Sequence, residues 1–237
     1  MSTVVNSDKS YRKTATLVGI LYITGTVAGV LSLVATNPVL SVPNFVTVVA
    51  ASPNRLVLGS LFILLMGIAL AFIPLAMFPI FKRTHEAGAL AYVVFRSGRE
   101  TTTYLVTVLS WLVLIRLSHL STEVVPGFDV QATGELILAV RETSTYLVVA
   151  TFSAGALILY SLLFQTKLVP RWLSGWGLNA IRLQVMAGVL SMFAVIAEFS
   201  TVHNIMNLPI FLQEMVLAVW LIVRGFNPSV TSSNWTV

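Results

Sequence analysis

Arg96, Arg99 and Glu100 stand inside a long apolar stretch, and Arg182 and Glu214 stand inside two others. An ionisable side chain at the centre of a bilayer costs ~2.5–3.5 kcal/mol even on a lenient insertion scale, so each calls for an interior position and a partner. Three chemistries would use such a set. A guanidinium fork suits a carboxylate or phosphate, and three arginines against two glutamates leave one surplus positive charge for a small anionic or amphipathic molecule to neutralise. A glutamic acid that keeps its proton would act as a proton carrier or general acid. Salt bridges that only fix packing are the third reading, with Arg96 and Glu100 paired at i,i+4 and Arg99 or Arg182 neutralising Glu214.

Spacing adds polar and aromatic company. Tyr92, Arg96, Arg99, Glu100, Thr103, Thr107 and Trp111 recur at three- and four-residue steps, which places them on one face of a helix. Glu142, Tyr146, Ser153 and Tyr160 make a weaker stripe in the next apolar segment. At ~1.5 Å per residue, Arg96, Arg99 and Glu100 rise about 13, 18 and 20 Å above one membrane boundary, with Arg182 near the level of Arg96 and Glu214 near that of Glu100. The binding set expected on this basis is Tyr92, Arg96, Arg99, Glu100, Thr103, Trp111, Tyr146, Arg182 and Glu214, with the aromatic rings walling the apolar part of a ligand. A membrane-embedded enzyme is the rival from another class. There Glu100, Glu142 and Glu214 would be the catalytic acids and bases of an isomerase, cyclase or hydrolase acting on a lipophilic substrate, and Arg96 or Arg99 would stabilise an oxyanion.

The elements that must position these residues follow from composition. Of 237 residues, 57% are hydrophobic and 10% charged, which lies outside the soluble range and specifies a membrane protein. Crossing the ~30 Å hydrocarbon core takes roughly 20 helical residues. Six segments qualify: residues 14–35, 56–81, 87–117, 136–164, 175–197 and 208–225, within one transmembrane domain followed by a short tail, 226–237. The expected fold is therefore an all-α polytopic bundle of six transmembrane helices. Residues 37–54 hold Pro38, Pro43 and Pro53 around an apolar run too short to span, which predicts a short interfacial helix after the first span.

Lys9, Arg12 and Lys13 precede the first span, Lys82 and Arg83 follow the second, Lys167 and Arg171 follow the fourth, and Arg224 closes the sixth. The positive-inside rule puts these ends, and both termini, in the cytoplasm, with Arg55 the exception. The formal charge of +5 thus marks topology, and the basic residues are too dispersed to track nucleic acid. No cysteine is present, which excludes disulfides and thiolate chemistry. His119, Glu123, Glu198 and His203 would gather on the opposite side, but loop residues without a tight motif are ordinarily solvated, so no metal and no cofactor are expected. Phosphate-loop, HExxH, nucleophile-elbow and dinucleotide patterns do not occur.

Three segments carry a family resemblance: Arg12-Lys13 leading into Leu17-Val18-Gly19-Ile20-Leu21-Tyr22; Leu168-Val169-Pro170-Arg171-Trp172-Leu173-Ser174 with Gly177; and Gln213-Glu214-Met215 running through Trp220-Leu221 to Gly225-Phe226-Asn227. Together they resemble the bacterial integral-membrane family called domain of unknown function 4386. The resemblance implies a multi-helix protein of a bacterial inner membrane and assigns no chemistry. It also implies an Arg and a Glu near the middle of the third helix, the region that Arg96, Arg99 and Glu100 fill.

Overall fold

The computed structural model describes residues 2–120, 128–197 and 200–228, and it is all-helical among them. The helices are α1 (Ser2–Leu40), α2 (Phe45–Ala51), α3 (Pro53–Phe81), α4 (Glu86–Val93), α5 (Thr101–Leu120), α6 (Val130–Thr166), α7 (Arg171–Met192) and α8 (Thr201–Val223). A π-helical segment, Val94–Glu100, joins α4 to α5. Five of the described helical stretches are long and apolar enough to cross a membrane: Tyr11–Leu40, Pro53–Phe81, Glu86–Leu120, Val130–Thr166 and Thr201–Val223. The chain is a multi-pass membrane protein. Helix α7, at 22 residues, is also long enough to cross but carries Arg171, Asn179, Arg182 and Gln184, which lower its apolarity.

Most helices outrun the spans expected from hydropathy. Helix α1 continues past residue 35 to Leu40 with Pro38 inside it, a tolerable place because few backbone bonds remain beyond it. Helix α7 starts earlier than residue 175 and stops at Met192 rather than 197, where Ala194 turns the chain at φ 55. The short helix expected after the first span is α2.

The chain divides into two compact units: Met1–Ile23, Ala69–Glu100 and Val149–Val237 form the first, and Thr24–Ile68 with Thr101–Val148 the second. In the second unit, α2 buries Phe45, Val46 and Val49 in a cluster with Val39, Leu56, Trp111, Leu114 and Leu117. Small residues set the spacing there. A Cβ on Gly59 would fall on the Thr36 methyl, and Ser32 Oγ donates to Gly59 O at 2.9 Å. Gly134 in turn lets α6 approach Val46 and Phe45.

In the first unit, α7 packs along α8, and the start of α1 lies against the end of α8. A Cβ on Gly19 would sit 2.5 Å from Ala218 O, so only glycine permits that approach. Arg12 Nη2 donates to Ile222 O at 2.7 Å and Val223 O at 3.1 Å, satisfying carbonyls that the last turn of α8 leaves open. Asn227 N donates to Leu168 O at 2.8 Å and its side-chain amide to Lys167 O at 3.4 Å, tying the chain after α8 to the α6–α7 turn.

Candidate functional site

Arg96 is the centre of the buried polar cluster in the first unit, with its side chain 2% exposed. Nη1 donates to Glu100 Oε2 at 3.1 Å and Nη2 to Glu214 Oε1 at 3.4 Å. One guanidinium therefore bridges the π segment to α8. The Phe152 ring of α6 lies 4.5 Å from Arg96 Cζ, a cation–π contact that covers a face of the guanidinium. Glu100 is wholly buried, whereas Glu214 keeps 16% of its side chain exposed.

The π segment decides which residues share this face. Its backbone bonds run i→i+5, giving roughly 4.4 residues per turn, so a residue three positions on falls further short of the same face than in an α-helix. Tyr92, Arg96, Glu100 and Thr103 are buried, while Arg99 is exposed, with Cζ 5.4 Å from the Phe95 ring. Ser97 Oγ holds the segment to α3 by donating to Ala71 O at 2.6 Å. Gly155 of α6 faces Arg96 with a Cβ-sized space, its nearest neighbour 3.6 Å away.

Tyrosines surround the ion network. Tyr22 of α1, Tyr92 of α4 and Tyr160 of α6 are buried within electrostatic reach of Arg96 and Glu214. Tyr160 OH donates to Gln213 Oε1, and Gln213 Nε2 donates to Leu173 O at 3.1 Å, so α6, α7 and α8 are cross-linked beside Glu214. Gly177 makes room for that tyrosine, since a Cβ there would lie 2.5 Å from its ring. Among the described residues, Tyr22 OH, Tyr92 OH and Arg96 Nε make no hydrogen bond of normal length, and the two hydroxyls lie close enough to interact with each other.

The expected site is thus partly assembled and partly redrawn. Tyr92, Arg96, Glu100 and Glu214 come together. Arg99 does not join them, for the helical reason above, and Arg182 does not either: it is exposed on α7 and donates to Asn179 Oδ1 at 3.0 Å. The charge count changes sign with them, because one cation now faces two carboxylates where three arginines were expected. Thr103, Trp111, Glu142 and Tyr146 belong to the second unit. In it Trp111 is buried with Arg141 Cζ 5.8 Å from its ring, Tyr146 is half-buried and Glu142 is exposed.

Tyr22, Tyr160, Gln213 and Phe152 were absent from the expected set. The resemblance was a signal for Tyr22 and Gln213, which its quoted segments contain, and the weaker polar stripe was one for Tyr160. Of the residues considered for an outer metal, Glu123 and Glu198 lie outside the described residues, and His203 Nδ1 is 2.9 Å from Ser191 Oγ.

No curated protein and no solved structure matches the chain. The family model described as Domain of unknown function (DUF4386) matches residues 17–225. Within that range fall the Arg96 cluster and the helix contacts that enclose it: Gly19 on Ala218, Gly177 under Tyr160, and Gln213 on Leu173. A match over nearly the whole chain, in agreement with the all-helical membrane architecture, establishes that this protein belongs to the DUF4386 family.

Proposed function

We propose that the protein is a six-span carrier or receptor of the bacterial cytoplasmic membrane, with both termini in the cytoplasm, that binds a small amphipathic molecule at the Arg96–Glu100–Glu214 cluster. One observation carries the reading: among the described residues, Arg96 Nε and the facing hydroxyls of Tyr22 and Tyr92 are buried with no hydrogen bond of normal length, beside an ion network that has more carboxylates than cations. A buried donor left unsatisfied costs about 1–3 kcal/mol, so a chain that keeps such donors together gains from a ligand oxygen placed among them. With both glutamates ionised the cluster carries a formal charge of −1, which favours a neutral or cationic head group with hydroxyl or carbonyl oxygens over a fully anionic one. Glu214, the more exposed carboxylate, is the group that would exchange a proton when the ligand enters. Helix α7 serves as the fifth of the six spans, and α2 lies at the outer interface.

The test is native mass spectrometry of purified protein, comparing wild type with the double variant Tyr22→Phe/Tyr92→Phe. Both changes keep ring volume and remove only the hydroxyls. Under this reading wild type carries a bound small molecule that the double variant has lost, while the variant is at least as stable. A wild type that is empty, or a variant that retains the same molecule at the same occupancy, assigns the cluster to packing alone.

A further inference from the structure

A groove of about 420 Å3 runs along one face of α8, lined by Met215, Val216, Val219, Trp220, Val223 and Arg224. Its volume falls in the ordinary range for small-molecule sites, roughly 300–1,000 Å3. We infer that this groove binds an anionic phospholipid, with an acyl chain against Met215, Val216, Val219 and Val223 and the head-group phosphate on Arg224. The inference is independent of the Arg96 cluster.

Length is the first argument. From Met215 to Arg224 the helix rises about 14 Å, the depth of one leaflet of a ~30 Å hydrocarbon core, so a chain in the groove reaches mid-membrane as its head group reaches Arg224. Charge is the second. Arg12 already occupies the Ile222 and Val223 carbonyls and offsets the negative end of the helix, which leaves Arg224 exposed and without an ion pair among the described residues. Its guanidinium fork suits a phosphate. The third is depth marking: Trp220 lies edge-on to Trp172 at 6.3 Å beside Arg224, and paired tryptophans of this kind favour the head-group level. A second copy of the chain is a poorer occupant. Two copies inserted in the same direction and related by a two-fold axis would bring Arg224 against its own counterpart.

The experiment is native mass spectrometry of the full chain released from nanodiscs of equimolar phosphatidylglycerol and phosphatidylcholine. Wild type is expected to retain one phosphatidylglycerol in preference to phosphatidylcholine. Arg224→Gln lowers that preference about fivefold, the equivalent of about 1 kcal/mol for one basic residue at a membrane surface, and Arg224→Lys, which keeps the charge without the fork, lowers it less. Val219→Trp fills the groove and removes bound lipid of either head group. Unchanged melting and elution of Arg224→Gln, an exposed position, separate lost binding from lost fold. An unaltered lipid ratio in Arg224→Gln, lipid still held by Val219→Trp, or no retained lipid in wild type would each overturn the inference. A dimer that Val219→Trp dissociates would assign the face to a second copy instead.

Discussion

Replacing Arg96 by methionine removes the cation while keeping a long side chain in its space. The change deletes two charge-assisted hydrogen bonds, at 3.1 and 3.4 Å, and the contact with the Phe152 ring. It also takes the Arg96 counter-charge from Glu100, which is wholly buried, and from Glu214. Breaking a buried ion pair by removing one partner costs about 3–5 kcal/mol, because the remaining buried charge loses the counter-ion that offset its desolvation. Methionine returns some of the loss as apolar contact with Phe152, so the lower end of that range is expected here. Equilibrium unfolding in mixed detergent micelles measures the difference. The informative comparison is Arg96→Met/Glu100→Gln/Glu214→Gln, which removes all three charges and should recover most of the lost stability, to within about 1 kcal/mol of wild type. If the single variant lost less than about 1 kcal/mol, or if the triple variant were no more stable than the single, the bridge would not be the element that joins the π segment to α8.

Two further predictions concern backbone spacing and strain. Gly177→Ala places a Cβ 2.5 Å from the Tyr160 ring and should cost about 1–3 kcal/mol by overpacking, while Gly155→Ala, whose nearest neighbour would be 3.6 Å away, should leave the same unfolding transition within about 0.5 kcal/mol of wild type. Lys167 holds φ 55 at the turn after α6 and is exposed, so Lys167→Gly should raise stability by about 1 kcal/mol; a drop in melting temperature would contradict that account.

The likeness between the expected set and the buried cluster depends on local spacing. Arg96 and Glu100 are four residues apart, a separation that keeps two side chains adjacent in an α-helix and nearly so in the wider π turn, and their pairing was legible. Arg99 is three residues from Arg96, and there the two geometries diverge. A glycine, Gly98, between two charged positions was the local hint of an irregular helix. Arg182 matched the level of Arg96 by counting residues, but height along a helix carries no information about which way the side chain faces. Its exposure on α7 follows from how α7 meets α8, an arrangement that hydropathy does not encode. Tyr22 was hidden for a related reason: it sits in an apolar segment where a lone tyrosine is unremarkable until its neighbours are known, whereas Tyr160 stood in the weaker polar stripe of its segment without a sign of which residues it would meet.

Transfer free energy sums residue by residue, so composition and run length by themselves determined that this chain is helical and inserted in a membrane, and that charges inside it must find partners. The partner of each charge is a different kind of quantity. It depends on helix rotation, on where the backbone takes an extra residue per turn, and on which glycines let two helices approach. Those are properties of packed pairs, and they made Glu214 the second partner of Arg96 while sending Arg99 and Arg182 outward. Only the tertiary structure decided that one guanidinium would serve two carboxylates.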